Sequence, residues 1–204
     1  MLIVGLTGSI GMGKSTVAAY LRTKGIAVLD ADAEVHRLYA GPAVPLIEAA
    51  FPGSTGPAGV DRLHLAAAIK VDPTALPRLE AIVHPLVREV ERKFLLAEAE
   101  RGAAMAVLEI PLLLETGGEA GVDVVIVVSA PAEAQRLRVL QRPGMTAERL
   151  DALLARQMPD HHKRARAHFV VDTGGSLRDT EAQLDAIIES LAGRQGRALA
   201  HWSR

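Results

Sequence analysis

The chain opens on an unbroken apolar run, Leu2-Ile3-Val4-Gly5-Leu6, which stops at Thr7-Gly8. A run without alternation fits a strand covered on both faces, as in a parallel sheet. A glycine-rich stretch follows, and then a pattern that predicts a helix over 14–24, with Val17, Ala18, Ala19 and Leu21 on its apolar side and Gly25 placed to end it. Residues 26–29 (IAVL) predict a second strand ending at Asp30. Three more strands are predicted at 104–110 (AMAVLEI), 122–128 (VDVVIVV) and 169–171 (FVV). Strands separated by helices predict an α/β fold with a parallel sheet of about five strands.

Residues 33–101 break this rhythm. They predict helices at 33–39, 44–50, 62–70 and 75–101, with a turn-rich loop over 51–60 (FPGSTGPAGV). Pro85 lies inside the last of these and is expected to kink or interrupt it near His84. The region reads as a helical insertion, a natural place for a substrate-binding subdomain. Residues 131–166 are helical and arginine-rich, with breaks at Pro143-Gly144 and Pro159, and are expected to form a movable lid. The end predicts an amphipathic helix over 177–191 and a frayed tail over 193–204. The expected organisation is therefore a nucleotide-binding core (1–32, 102–130 and 167–204), a helical insertion (33–101) and a lid (131–166).

Composition narrows the picture. At 204 residues the chain has room for one domain carrying a sizeable insertion. Hydrophobic residues make up 49% and charged residues 23%, which excludes an intrinsically disordered chain. Lys+Arg number 23 against 24 Asp+Glu, a net charge of −1, so there is no global basic field and nucleic acid is not an expected partner. The absence of cysteine excludes disulfides, Cys-ligated zinc and thiol nucleophiles. No apolar run reaches the ~18 residues of a membrane helix, and no basic region precedes the first apolar run, so the expectation is a cytoplasmic protein with no membrane partner.

The chemistry begins at Gly8-Ser9-Ile10-Gly11-Met12-Gly13-Lys14-Ser15, which matches G-x-x-x-x-G-K-[ST] at every fixed position, between a predicted strand and a predicted helix. Such a loop wraps a phosphate with its amides pointing inward, and glycines allow the close approach that side chains would block. Gly8, Ser9, Gly11, Met12, Gly13, Lys14, Ser15 and Thr16 are the candidate triphosphate contacts. Lys14 would reach the β- and γ-phosphates and the Ser15 hydroxyl would ligate Mg²⁺, so ATP and Mg²⁺ are the expected cofactors. A dinucleotide-binding fingerprint fails, because Thr16 occupies the position of its third glycine.

Three classes of phosphate-loop protein then compete: a small-molecule kinase, a GTPase switch and a mechanical ATPase. The chain has no Asn-Lys-x-Asp base reader, and its Asp172-Thr173-Gly174-Gly175 match to D-x-x-G lies far too late to sense a γ-phosphate. A kinase needs a group for the acceptor hydroxyl, an acceptor domain and arginines over the transferring charge. Asp30-Ala31-Asp32 ends the second strand, expected beside the phosphate-loop strand at the carboxyl edge, where α/β ligands bind. Asp32 could accept or orient a hydroxyl proton, and either acid could cap the next helix; spacing alone does not choose between these roles. Arg136, Arg138 and Arg142 fall on one predicted helix, with Arg138 and Arg142 four apart on a shared face, suited to clamping a triphosphate or equally to a solvated basic face.

At this point the sequence resembles the dephospho-CoA kinase family over nearly its whole length. The similar strings are VGLTGSIGMGKSTVA, Asp30-Ala31-Asp32 with His36-Arg37, His84-Pro85-Leu86-Val87-Arg88, Pro111-Leu112-Leu113-Leu114-Glu115, RVLQRPGMT, ARQMPDHHK and VVDTGG. The resemblance implies a three-layer phosphate-loop fold and phosphorylation of the ribose 3′-hydroxyl of dephospho-CoA by ATP, with a monomer or small homo-oligomer expected. It implies Asp32 as the base or hydroxyl-orienting group, and Lys14, Arg138 and Arg142 as catalytic partners. Arg142 and Asp172 would also contact ATP. It implies Arg37, His84, Arg88, Leu112, Leu113 and Glu115 at the acceptor site beside Asp32, with Gln157 and Lys163 at lid-end positions. His84 could instead cap a helix kink, and Arg88 could pair with Glu89 or Glu91. Two departures stand out: Glu109 where relatives often carry Asp, and His168 where an acid is common. His161 and His162 are read as exposed lid residues.

Overall fold

The computed structural model describes residues 1–203. In chain order it runs β1 (Leu2–Thr7), α1 (Lys14–Thr23), β2 (Ala27–Asp30), α2 (Ala31–Tyr39), α3 (Val44–Ala50), β3 (Thr55–Gly56), β4 (Gly59–Val60), α4 (Arg62–Val71) and α5 (Ala75–Glu100). It continues through β5 (Met105–Glu109), a 3₁₀ turn (Gly118–Gly121), β6 (Val124–Ser129), α6 (Ala132–Leu140), α7 (Ala147–Leu154), α8 (Asp160–Ala165), β7 (Phe169–Asp172), α9 (Leu177–Leu191) and α10 (Leu199–Trp202). The chain divides into two compact units, one of Met1–Leu29 with Leu95–Arg204, the other Asp30–Phe94. The sequence placed the insertion at 33–101 instead. The division falls inside α5, near the fully buried Leu95. Helices α6, α7 and α8 belong to the larger unit.

The larger unit is built on a five-stranded parallel sheet of order β2-β5-β1-β6-β7. Strand β5 therefore lies between β1 and β2, so the Asp30 strand is not the immediate neighbour of the phosphate-loop strand as expected. Residues of β6 alternate between two cores. Val124, Ile126 and Val128 face a cluster that holds Val17, Ala18 and Leu21 of α1 and Leu184, Ile187 and Leu191 of α9. Val125 and Val127 face a second cluster with Leu113, Leu114 and the partly buried Met158 and Ala167. Burial on both faces is why these strands read as continuous apolar runs.

The smaller unit has its own core: Leu38, Ala43, Ile47, Phe51, Leu65, Ala75, Leu79 and Val83. Three sequence expectations change here and elsewhere. The loop over 51–60 contains a short antiparallel hairpin, with Thr55 opposite Val60 and Gly56 opposite Gly59. Helix α5 runs through Pro85 without interruption. An interior proline costs about 3 kcal/mol, but Leu79, Ile82, Val83, Leu86, Val87 and Val90 form a stripe on both sides of it that packs on one cluster. Leu79 and Val83 are buried and the other four partly so; full burial of one such side chain contributes about 1.5–3 kcal/mol, so the stripe as a whole offsets the proline. The tail is not frayed over its described part. Asp123 accepts from the Arg197 and Ala198 amides (2.6 and 2.8 Å), and the Trp202 indole donates to the Gly121 carbonyl (2.8 Å). The expected tail's last residue, 204, lies outside the described residues. No helix among the described residues is long and apolar enough to cross a membrane.

Candidate active site

The phosphate loop joins β1 to α1. Gly13 is the N-cap of α1 at φ 90°, and Gly11 lies at φ 76°, both in the left-handed region that only glycine adopts readily. At Gly11 a side chain is also excluded by space: a Cβ would sit 2.5 Å from Val139 Cγ2. The Lys14 ammonium donates to the Gly8 carbonyl (2.7 Å), while Ser15 and Thr16 stand exposed in the first turn of α1. Ser9 and Met12 are buried.

Side chains distant in sequence fix the loop from outside. Gln157 accepts from the Ile10 amide (3.1 Å), and buried Gln135 donates to the Ile10 carbonyl (2.8 Å). The buried Thr173 hydroxyl donates to the Met12 carbonyl (2.8 Å). Arg138 in turn donates to Thr173 Oγ1 and to its carbonyl (3.1 and 2.6 Å). Thr173 and Gln135 escaped sequence reasoning. Thr173 stood in the D-x-x-G match and the VVDTGG string without a role of its own, and Gln135 gave no signal.

Arg138 and Arg142 do not share a helix face. Helix α6 ends at Leu140 with Gln141 as its C-cap, so Arg142 lies beyond the helix, exposed. The cause is the Pro143-Gly144 stop, which ends the helix two residues early. Arg136 faces Asp151 at 3.4 Å. Asp172 closes β7 and accepts from the Gly174 amide (2.7 Å), an Asx-type turn that aims the backbone of 173–174.

Of the P-L-L-L-E string, Leu112 is exposed and Leu113 is fully buried. Leu113 fills the space above Gly5, whose Cβ would lie 2.6 Å from Leu113 Cδ2, so its place is in the core and not on a pocket wall. Glu115 accepts from Lys163 (2.8 Å) and from the Met158 amide (2.8 Å). Burial pushes the Glu115 carboxyl up, but the Lys163 ammonium and that amide outweigh it and hold it below the ordinary carboxylate range. Lys163 is 0% exposed and also donates to the Pro111 carbonyl (3.2 Å), which the Thr7 hydroxyl shares (3.0 Å). Both Glu115 and Lys163 are thus engaged in tying α8 to the turn after β5. Glu109 closes β5, buried and in register with Leu6. His168 has a clear structural part. Its Nδ1 accepts from the Val125 amide (3.0 Å), while its own amide donates to the Val125 carbonyl (2.9 Å), so the ring lengthens the pairing of β7 with β6.

In the smaller unit the two acids separate. Asp30 is the N-cap of α2, accepting from the Ala33 amide (3.0 Å). Asp32 lies in the first turn, where helix amides favour negative charge. Asp32, Val35, His36 and Tyr39 of α2 line a cavity of about 300 Å³ together with Arg62, Leu65, Ala66 and Ile69 of α4 and Leu79 of α5. Spacings of i, i+3, i+4 and i+7 place each quartet on one helix face. Arg37 therefore falls on another face, where it pairs with Glu34. His84 and Arg88 are exposed on α5 and do not line this cavity. Glu89 is occupied by Arg92 (2.8 Å) and Lys93 (3.4 Å). Arg88 acts on Glu91 only through its charge: burial raises the Glu91 carboxyl to about 7, and Arg88 opposes that rise.

A glycine loop opening a helix at the carboxyl end of a central parallel strand defines a phosphate-loop nucleotide-binding fold. A shikimate kinase from Acinetobacter baumannii shares the fold (TM-score 0.55, 18% identity, 95% of this chain and 96% of that one). The family model described as "Dephospho-CoA kinase" matches residues 2–179, and the chain belongs to that family. It is 55% identical to a dephospho-CoA kinase of Mesorhizobium japonicum over 96% of this chain and 100% of that protein. It is 54% identical to one from Rhodopseudomonas palustris over 94% of this chain and 96% of that protein. Among solved structures, one from Thermus thermophilus is similar at TM-score 0.80 and 40% identity, covering 94% of this chain and 98% of that one. The dephospho-CoA kinase from Campylobacter jejuni is similar at TM-score 0.69 and 26% identity, covering 93% and 96%.

Proposed function

We propose that this chain transfers the γ-phosphoryl group of ATP to the ribose 3′-hydroxyl of dephospho-CoA, giving coenzyme A and ADP, the last step of coenzyme A synthesis. The observation that carries the reading is membership of the family over residues 2–179 with an intact phosphate loop. The larger unit supplies the donor cradle. Loop amides and the α1 N-terminus bind the polyphosphate, Lys14 neutralises charge on its terminal groups, and Arg142 meets charge developing in transfer. Arg138 positions the cradle through Thr173.

The smaller unit supplies Asp32, which holds the acceptor alcohol and takes its proton as the bond to phosphorus forms. Arg37, His84 and Arg88 are outer candidate contacts for the acceptor, and Leu112 and Glu115 of the larger unit are kept as further candidates. Among the described residues no group of three or more His, Asp or Glu could hold a metal alone. The exposed Ser15 hydroxyl in the first turn of α1 fits a protein ligand to Mg²⁺ held chiefly by phosphate oxygens. There it would neutralise charge on the bridging phosphates.

The test is an acceptor panel. Purified protein with ATP and Mg²⁺ is offered dephospho-CoA, adenosine, AMP or uridine, and ADP and phosphorylated product are scored. Product from dephospho-CoA well above the others is expected. Phosphorylation of another acceptor in preference points to a different nucleoside or nucleotide kinase. Hydrolysis or binding independent of any acceptor points to a nucleotide-gated binding module.

A further inference from the structure

Arg62 carries no ion pair with a carboxylate among the described residues. Its Nη1 donates to His36 Nε2 (2.8 Å), and its guanidinium carbon lies 5.6 Å from the centre of the Tyr39 ring. His36 Nδ1 in turn donates to the Asp32 carbonyl (2.6 Å). These two bonds fix one neutral tautomer of His36, with Nδ1 protonated and Nε2 accepting. The neighbouring acid, Asp61, spends Oδ1 on the Leu63 and His64 amides as the α4 N-cap. The guanidinium is therefore held by a neutral ring and an aromatic face, neither of which compensates its charge.

The cavity it borders has an apolar wall of Val35, Leu65, Ala66, Ile69 and Leu79, with Asp32 on the same lining. An acid serves an uncharged alcohol, a fork of N–H donors serves an anion, and an apolar wall serves a hydrocarbon limb. We propose that Arg62 binds the 5′-diphosphate of the acceptor and that the apolar wall receives the pantoyl limb beyond it, with His36 and Tyr39 positioning the guanidinium. This rests on the reading of the acceptor as dephospho-CoA and adds a specificity residue to it.

The experiment compares wild type with Arg62→Ala and Arg62→Lys. Loss of a charge-assisted contact worth about 1.5–3 kcal/mol predicts a KM for dephospho-CoA raised about 10- to 100-fold in Arg62→Ala. Its kcat and KM for ATP are expected to shift less than about threefold, as for loss of uniform binding. Arg62→Lys should fall between, keeping charge but losing the fork. As competitive inhibitors against dephospho-CoA, 4′-phosphopantetheine should weaken in step with KM, whereas adenosine should keep its Ki. A purely structural role would move both inhibitors and the unfolding midpoint together. The proposal is overturned by an unchanged KM, by equal weakening of adenosine, or by no inhibition of wild type by 4′-phosphopantetheine. Inactivity of wild type toward dephospho-CoA would instead overturn the functional reading.

Discussion

The two units carry candidate sites of different make. In the larger unit the candidate site is a backbone loop, shaped by Gly11 and Gly13 at positive φ. In the smaller unit the candidate cavity is lined by side chains on separate helices, Asp32 and His36 on α2 with Arg62 on α4. A backbone site is written in one contiguous string and tolerates few substitutions. A side-chain cavity is distributed along the chain, here from Asp32 to Leu79, with its character set by which helix faces meet.

The largest effect should follow from Lys14→Ala, which removes the donor charge within the backbone site. Losing one positioned transition-state donor costs about 100- to 1000-fold in kcat, and here ATP affinity should fall as well. Steady-state kinetics with ATP varied would read both; unchanged kcat would separate this loop from the chemistry. Asp32→Asn tests the other unit. Turnover should drop about 100-fold or more with ATP binding retained by calorimetry, and near-normal turnover would remove Asp32 from the reaction.

Thr173→Val probes how far the backbone site depends on remote support. It strands the Met12 carbonyl and removes the Arg138 bond to Thr173 Oγ1, leaving the Arg138 bond to the Thr173 backbone carbonyl in place. A cost of about 1–3 kcal/mol in chemical denaturation is expected, with a raised KM for ATP and little change in KM for the acceptor. Loss confined to the acceptor would blur the contrast between the units.

The smallest effect concerns Glu91 in the helical unit. Its carboxyl, 5% exposed, is raised from 4.5 to about 7. Between those values the folded state holds a proton that the unfolded state has released. Stability from this group is complete below pH 4.5 and is lost as pH rises toward 7. Glu91→Gln should therefore gain stability relative to wild type at pH 8 but not at pH 4.5, by on the order of 3 kcal/mol at most. Equal midpoints at both pH values would show that the carboxyl is better solvated than its burial implies.

The sheet, its strands and the phosphate loop were legible in the sequence because their signals are local: apolar runs from burial on both faces, and glycines where φ is positive. What was lost depended on contacts between distant positions. That Asp30, and not Asp32, caps α2 follows from side-chain geometry two residues apart. Arg142 was placed on a helix because residues 136–142 look helical, yet the Pro143-Gly144 stop acts upstream of itself. Continuity through Pro85 required knowing that Leu79 and Val90 pack on one cluster. Arg62 carried no motif at all. Its i, i+3, i+4, i+7 companions Leu65, Ala66 and Ile69 were visible as a pattern, but not the α2 quartet they would meet.

The anchoring of the last residues by Asp123 has a practical corollary for anyone handling the protein. Its carboxylate gathers the Ile3, Arg197 and Ala198 amides, and Gly196 approaches so closely that a Cβ there would lie 2.9 Å from the Leu2 Cα. Cleavage by a protease near Gly193 would therefore uncover the start of the central strand, and a purification tag is better fused beyond a spacer than directly behind Trp202.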